Sequence, residues 1–377
     1  MGHGNMNVRC NANDQNVLSI LKHSIKDPLN RLSSWSIEEV AAIGMQRRGP
    51  IPFTPTDLGL TPSWLYTQRS LSFLDVSSSG LSFNVHDKFW SFATQIYGLS
   101  LANNSITGDI STTIITNAAI DLHSNNFTGL LPRLSSEVTF FHIANNKFSG
   151  PIYPLLCQNE ARMQQLRLLD MSHDLLSGEL PDCWMHWQSL LALNLESNKL
   201  SGKIYDSLGK LTNPLGLRLG QSGDVPSLKS CKQLFLLDLA FNEFTGNVPS
   251  WTGSLPGTTL LLRSDKFNGT IPSQICQLSY ILMLYLADNR LSGPIPKCFN
   301  NFTTMVTYDT QNEFYYDYDV GYLVQVFCES YLEDLLLYVK GQYFEYDRTF
   351  WDVRFVNLSS NELSGSIPLE LLSLIAV

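Results

Sequence analysis

The sequence lacks the marks of an enzyme, a membrane span or a nucleic-acid binder. It has no G-x-x-x-x-G-K-[ST] phosphate loop, no H-E-x-x-H metal helix and no G-x-S-x-G nucleophile turn. It also has no kinase set of V-A-I-K, H-R-D and D-F-G. Its carboxylates recur at intervals rather than in tight pairs, so no catalytic residue, cofactor or metal-ligand set is assigned. No window holds the roughly 18 uninterrupted apolar residues of a membrane helix, so this chain itself is not expected to insert into a membrane. Residues 1–16 are polar and carry no signal-peptide core. Positive charge is scarce: 25 Lys and Arg face 34 Asp and Glu, a net charge of -9. The densest basic stretch is Gln46-Arg47-Arg48. A chain of that sign is a poor partner for nucleic acid or anionic lipid. Charged residues make up only 16% against 44% hydrophobic, enough to bury a core.

What is present is repetition. Ile281–Pro296 reads L-x-x-L-x-L-x-x-N-x-L-x-G-x-I-P, with Ile281, Leu284, Leu286, Asn289, Leu291, Gly293, Ile295 and Pro296 at the fixed positions. The asparagine position recurs as Ser79, Asn104, Asn125, Asn146, Asp174, Asn198, Asn242, Asp265, Asn289 and Asn361. Most steps are 21–28 residues, and a further copy near Leu217–Pro226 is shortened by about three residues. L-x-L predicts a short strand with two side chains pointing inward. The asparagine amide is expected to bond backbone groups left open by the turn; Asp does part of this, and Ser79 less. The glycine accepts a tight bend, and Ile-Pro starts the return segment. No repeat buries its own apolar face; stacking about eleven of them does.

Before the repeats, residues 14–27 predict a short helix with Val17, Leu18, Leu21 and Ile25 on one face. It reads as a cap over the open solenoid end, or as a small packing helix. Residues 38–70 are irregular and proline-rich, either remnants of lost repeats or a linker.

The repeated string resembles the plant-specific class of leucine-rich repeats over 71–297 and 353–368. The resemblance implies an α/β solenoid: a right-handed superhelix with parallel strands on the concave face and short 3₁₀ or irregular segments outside. Asp14, Leu18, Leu21, Lys22, Asp27-Pro28, Leu32 and Ser33-Ser34-Trp35 match the cap that precedes such repeats. Ile37–Gly44 stands where its Cys-Cys-x-Trp-x-Gly-Val-x-Cys element belongs, so residues 1–37 read as an incomplete cap. Residues 298–350 break the rhythm and resemble the island that interrupts the repeats of plant receptor-like proteins. Lys340, Gly341 and Tyr346 match its Lys-Gly-x-x-x-x-Tyr element. The chain is most similar to receptor-like proteins of the group that senses ethylene-inducing xylanase, and residues 351–377 read as a repeat cut short in a truncated chain. The resemblance implies a protein or peptide ligand, a separate co-receptor kinase, and a place on the extracellular side of the plasma membrane. Two other readings stand: a non-signalling truncated product, and a secreted inhibitor of fungal wall-degrading enzymes, which would not need the island.

Cys157 and Cys183 lie 11 and 9 residues after their asparagine positions, and Cys276 and Cys298 repeat those phases. Stacking then predicts disulfides Cys157–Cys183 and Cys276–Cys298; the alternative is four buried thiols. Cys10, Cys231 and Cys328 have no evident partner. Sequons occur at Asn103, Asn126, Asn268, Asn301 and Asn357. A glycan on Asn357 would obstruct the sheet face, so that sequon is the weakest. The strand positions between the inward leucines predict a solvated concave row that includes Asp121, His142, Asp170, Asn194, Arg218, Asp238 and Tyr285. The next outward row includes His123, Glu196 and Arg263. These rows are expected to meet a ligand, against the plainer reading of an ordinary wet sheet face. The island holds Tyr315, Tyr316 and Tyr318 among nine acidic residues between Asp309 and Asp347, an expected aromatic hot spot or else a disordered acidic loop.

Overall fold

The computed structural model describes residues 71–157, 165–220, 222–256, 259–306, 336–339, 342–345, 354–372 and 374. The expected cap, the segment before Leu71, and Tyr315, Tyr316, Tyr318, Lys340, Gly341, Tyr346, Cys10 and Cys328 lie outside the described residues.

Each L-x-L segment forms a three-residue strand of one 11-stranded parallel sheet. We number these inner strands β1 (Phe73–Asp75), β2 (Gly98–Ser100), β3 (Ala119–Asp121), β4 (Phe140–His142), β5 (Leu168–Asp170) and β6 (Ala192–Asn194). Then follow β7 (Gly216–Arg218), β8 (Leu236–Asp238), β9 (Thr259–Leu261), β10 (Met283–Tyr285) and β11 (Phe355–Asn357). The leucines flanking the third strand residue point into the coil. Leu284 and Leu286, like Leu193 and Leu195, are fully buried. Burying such a side chain contributes roughly 1.5–3 kcal/mol, and every coil supplies several. At the next inward position Phe127 stacks on Phe148 and Phe244 on Phe267, each pair with centroids 6.2 Å apart.

The asparagines close the turns. Asn146 Nδ2 donates to the carbonyls of Leu122, Ile143 and Ala144, and its Oδ1 accepts the Phe127 N–H at 3.0 Å. Asn104, Asn125, Asn198, Asn289 and Asn361 repeat this scheme coil after coil. The residue before each ladder position is left-handed, from Ser78 at φ 51 to Ser360 at φ 53, which turns the chain out of the strand. The repeat glycines, such as Gly293 at φ 75, make the second bend.

The shortened copy still occupies one coil. β7 pairs in register with β6 and β8, and Asn242 Nδ2 still reaches the Leu219 carbonyl at 2.7 Å. The missing residues therefore leave the sheet intact. The interruption after β10 is also spanned: β10 pairs with β11, and Asn361 Oδ1 accepts the Leu291 N–H. Within the inserted stretch, Leu336–Val339 pairs antiparallel with Gln342–Glu345.

Outside the curve the structure is more regular than expected. Short 3₁₀ turns such as Ser273–Gln277 and Lys297–Asn301 are present. The N-x-L-x-G segments add a five-stranded parallel sheet from Thr107–Asp109 to Lys199–Ser201, because each follows its inner strand at the same offset and so stacks beside the same segment of the next coil. No helix among the described residues is long and apolar enough to cross a membrane.

Two disulfides staple consecutive outer segments: Cys157–Cys183, with Cα atoms 5.9 Å apart, and Cys276–Cys298, at 5.7 Å. These are the pairs that the repeat phase predicts. Replacing either pair with serine is expected to lower unfolding free energy in denaturant by about 3 kcal/mol. Alkylation of the native, unreduced protein should spare all four cysteines. Cys231 is a buried free thiol, and burial pushes its pKa up to about 11, so it should react only on unfolding.

Candidate functional site

Parallel in-register pairing lines up the third residue of every inner strand. Asp75, Ser100, Asp121, His142, Asp170, Asn194, Arg218, Asp238, Leu261, Tyr285 and Asn357 follow one another across the sheet. The row has the expected membership, but its state differs from the open, solvated face expected. His142, Asp170, Asn194, Arg218, Asp238 and Tyr285 are all buried, with exposures of 2–5%. Asp121 and Asn357 keep partial exposure. One physical reason lies in the register: adjacent strands hold complementary side chains side by side, so they bond each other. His142 Nδ1 lies 3.3 Å from Asp121 Oδ1, and Asn194 Nδ2 donates to Asp170 Oδ2 at 3.1 Å.

The second outward row joins the first, and the pairing across rows is not visible in a linear reading. Arg218 Nε donates to Asp238 Oδ2 at 3.0 Å, and its Nη1 donates to Glu196 Oε1 at 3.2 Å. Burial works against ionisation of Glu196, but the Arg218 guanidinium outweighs it and holds that carboxyl below the usual range. Burial raises the pKa of Asp238, since its share of Arg218 is offset by Glu196 nearby. Arg263 lies over the Phe241 ring at 4.1 Å and the Tyr285 ring at 4.8 Å, and donates to Tyr285 Oη at 3.2 Å. Tyr285, the one tyrosine of the row, is thus held inside a cation–π cluster.

At the other end, His123 Nδ1 sits 2.7 Å from Asp121 Oδ1, and its ring stacks on His142 with centroids 4.4 Å apart. Burial opposes ionisation of Asp121, but the two imidazoles facing it hold its carboxyl well below the usual range. The convergence of His123 and His142 was not read from the sequence. Its signal is an Asp-x-His on one strand face with a second His one coil later.

The sequons differ in exposure. Asn103, Asn268 and Asn301 are exposed. Asn126 is half-buried and accepts from Lys147 Nζ at 2.9 Å. Asn357 is half-buried in the sheet row, its Oδ1 accepting from Ser359 N–H and Oγ.

Comparison with known proteins fits this geometry. The Leucine Rich Repeat family matches residues 189–211 and 281–302. Receptor-like protein EIX2 of Solanum lycopersicum is 39% identical over 318 residues, 82% of this chain and 31% of its own length. Over this span the chain carries leucine-rich repeats and is similar to plant receptor-like proteins. It spans about a third of the curated relatives it matches. Among solved structures, the Arabidopsis receptor kinase HAESA in complex with the peptide hormone IDA and the co-receptor SERK1 is 26% identical. It has a TM-score of 0.55 and covers 76% of this chain and 47% of that one. A TDR receptor aligns with a TM-score of 0.61 at 22% identity, over 81% of this chain and 46% of that one, and shows the shared fold.

Proposed function

We propose that this receptor-like chain recognises a protein or peptide ligand without catalysis, on the extracellular side of the plasma membrane, and signals through a separate co-receptor kinase. The observation that carries this reading is the inner sheet itself. Eleven parallel strands hold one in-register row of mostly polar, ionisable and aromatic side chains, flanked by His123, Glu196 and Arg263, on a chain 39% identical to a receptor-like protein. A rigid sheet of this kind presents side chains without ordering cost on binding. The presence of a peptide hormone and a co-receptor in the HAESA complex supports the same division of labour.

Because Arg218, Asp238 and Tyr285 are engaged internally, the more accessible contacts on the sheet are Asp121 and His123; the island tyrosines are the aromatic candidates left by the sequence. Xylanase of the ethylene-inducing class is the ligand to test, immobilised on a sensor surface against the secreted chain. Alanine at Tyr315, Tyr316 and Tyr318 together is expected to weaken binding by about 30-fold or more, the size of one strong hot spot. Unchanged affinity would exclude the island as a hot spot. Failure of the unmodified chain to bind would remove this xylanase as its ligand.

A further inference from the structure

Two adjacent strands bring two imidazoles onto one carboxylate. Asp121 ends β3, and His142 stands beside it on β4 in register. His123 follows two residues after Asp121, on the same face. Both Nδ1 atoms approach Asp121 Oδ1, at 2.7 Å for His123 and 3.3 Å for His142. The ligating atoms of the three residues all lie within 4.8 Å of one another. Behind His142, Asp170 Oδ2 lies 3.9 Å from Nε2.

We propose that Asp121, His123 and His142 form a binding site for a divalent transition-metal ion of the Zn²⁺ class on the inner sheet face. The donor set selects the metal. Imidazole nitrogens favour Zn²⁺ and Cu²⁺, whereas Mg²⁺ and Ca²⁺ take oxygen ligands. The spacing is near that of a bound ion. Tetrahedral bonds of about 2.0–2.1 Å hold ligand atoms about 3.3 Å apart, the separation His142 Nδ1 already has from Asp121 Oδ1, while the 2.7 Å His123 contact must open slightly. The stacked rings, 16° from parallel, must turn for their lone pairs to converge. The His123 side chain is 24% exposed and has the room to do so.

The protons are accounted for by tautomers. A neutral imidazole that gives Nδ1 to the metal carries its proton on Nε2. For His142 that N–H lies near Asp170, 3.9 Å away, which becomes its orienting partner once the ring turns towards it. Asp170 is itself fixed, since its Oδ1 accepts from the Ser172 N–H and Oγ. Three protein ligands leave a fourth position, on the side from which Asp121 and His123 are exposed. It takes water, or a carboxylate or imidazole from a bound partner. Metal binding itself does not depend on the recognition reading above.

The experiment uses the secreted full chain, stripped with chelator and titrated with ZnCl₂ by calorimetry and with Co²⁺ by visible absorption. One Zn²⁺ per chain and a tetrahedral Co²⁺ spectrum are expected. His123→Ala and His142→Gln should each abolish both signals. Asp170→Asn should keep the stoichiometry and weaken Zn²⁺ binding by about 10–100-fold. His173→Ala, which removes a histidine paired with Glu196 instead, should bind as the unmodified chain does. Thermal unfolding in chelator checks that His123→Ala is folded. Absence of stoichiometric binding, or binding unchanged in folded His123→Ala, overturns the proposal, the latter by showing the metal to be adventitious.

Discussion

Replacing Asp174 or Asp265 with asparagine stabilises the fold at neutral pH, by roughly 2–4 kcal/mol for each substitution. Both aspartates occupy rungs of the asparagine ladder. Each still accepts one bond there, from the Phe148 N–H at 2.7 Å and from the Phe244 N–H at 3.1 Å. Their other oxygens, Asp174 Oδ2 and Asp265 Oδ2, are buried without a hydrogen-bond partner. At the equivalent place an asparagine Nδ2 donates to three carbonyls, as Asn198 does to Met171, Leu195 and Glu196. An ionised carboxylate has nothing to donate to such carbonyls and repels them. Burial therefore pushes both carboxyls up to about 8, helped by Asp170 next to Asp174 and by Asp238 next to Asp265. The sign of the pH effect follows. Between the ordinary carboxyl pKa near 4 and the folded value of about 8, the folded state holds protons that the unfolded state has released. Stability consequently falls as pH rises through that window, by about 1.4 kcal/mol per pH unit per group. The measurement is denaturant unfolding at several pH values. The difference between each asparagine variant and the unmodified chain should grow from pH 4 to pH 8 and level off above. A difference independent of pH would show that the aspartates are not protonated in the fold. The two sites are several coils apart, so their effects should add.

Removing Arg218 has the opposite sign and a similar size. Its side chain is 2% exposed and holds Asp238 and Glu196 on either side. Arg218→Ala leaves two carboxylates without their shared cation and costs about 3–5 kcal/mol. Replacing the whole group, as Arg218→Met with Glu196→Gln and Asp238→Asn, removes the stranded charges as well and should recover most of that loss. Chemical unfolding of the single and triple variants at pH 7 separates the cases. A single variant as stable as the unmodified chain would show that the network contributes no net stability. The result also bears on ligand binding. A drop in affinity for Arg218→Ala has to be compared with the triple variant before it is assigned to a ligand contact.

The repeat made much of the fold legible in advance. The position of the ladder residue gives the phase of each strand, and all eleven third-strand residues, from Asp75 to Asn357, stand in one row. The disulfides were legible for the same reason: equal phase in adjacent coils places Cys157 beside Cys183 and Cys276 beside Cys298. The outer parallel sheet was not anticipated, because N-x-L-x-G has no strand-like alternation. Only the neighbouring coil makes Thr107–Asp109 a strand, by pairing it with Asn126–Gly129. Left-handed turn residues were equally hidden. Phe241 at φ 57 carries no sequence mark of that conformation; the coil geometry imposes it.

The sequence by itself determined the coil, its phase and its staples, because each repeat packs only against its neighbours and a local pattern therefore dictates the contacts. The tertiary structure alone decided what the outward residues do. Side chains that a linear reading leaves free, such as Arg218 and Tyr285, meet partners one coil away. The distance between coils along the chain varies, and register is fixed only when they stack. The same stacking turned two aspartates into buried acids and drew His123 and His142 onto Asp121.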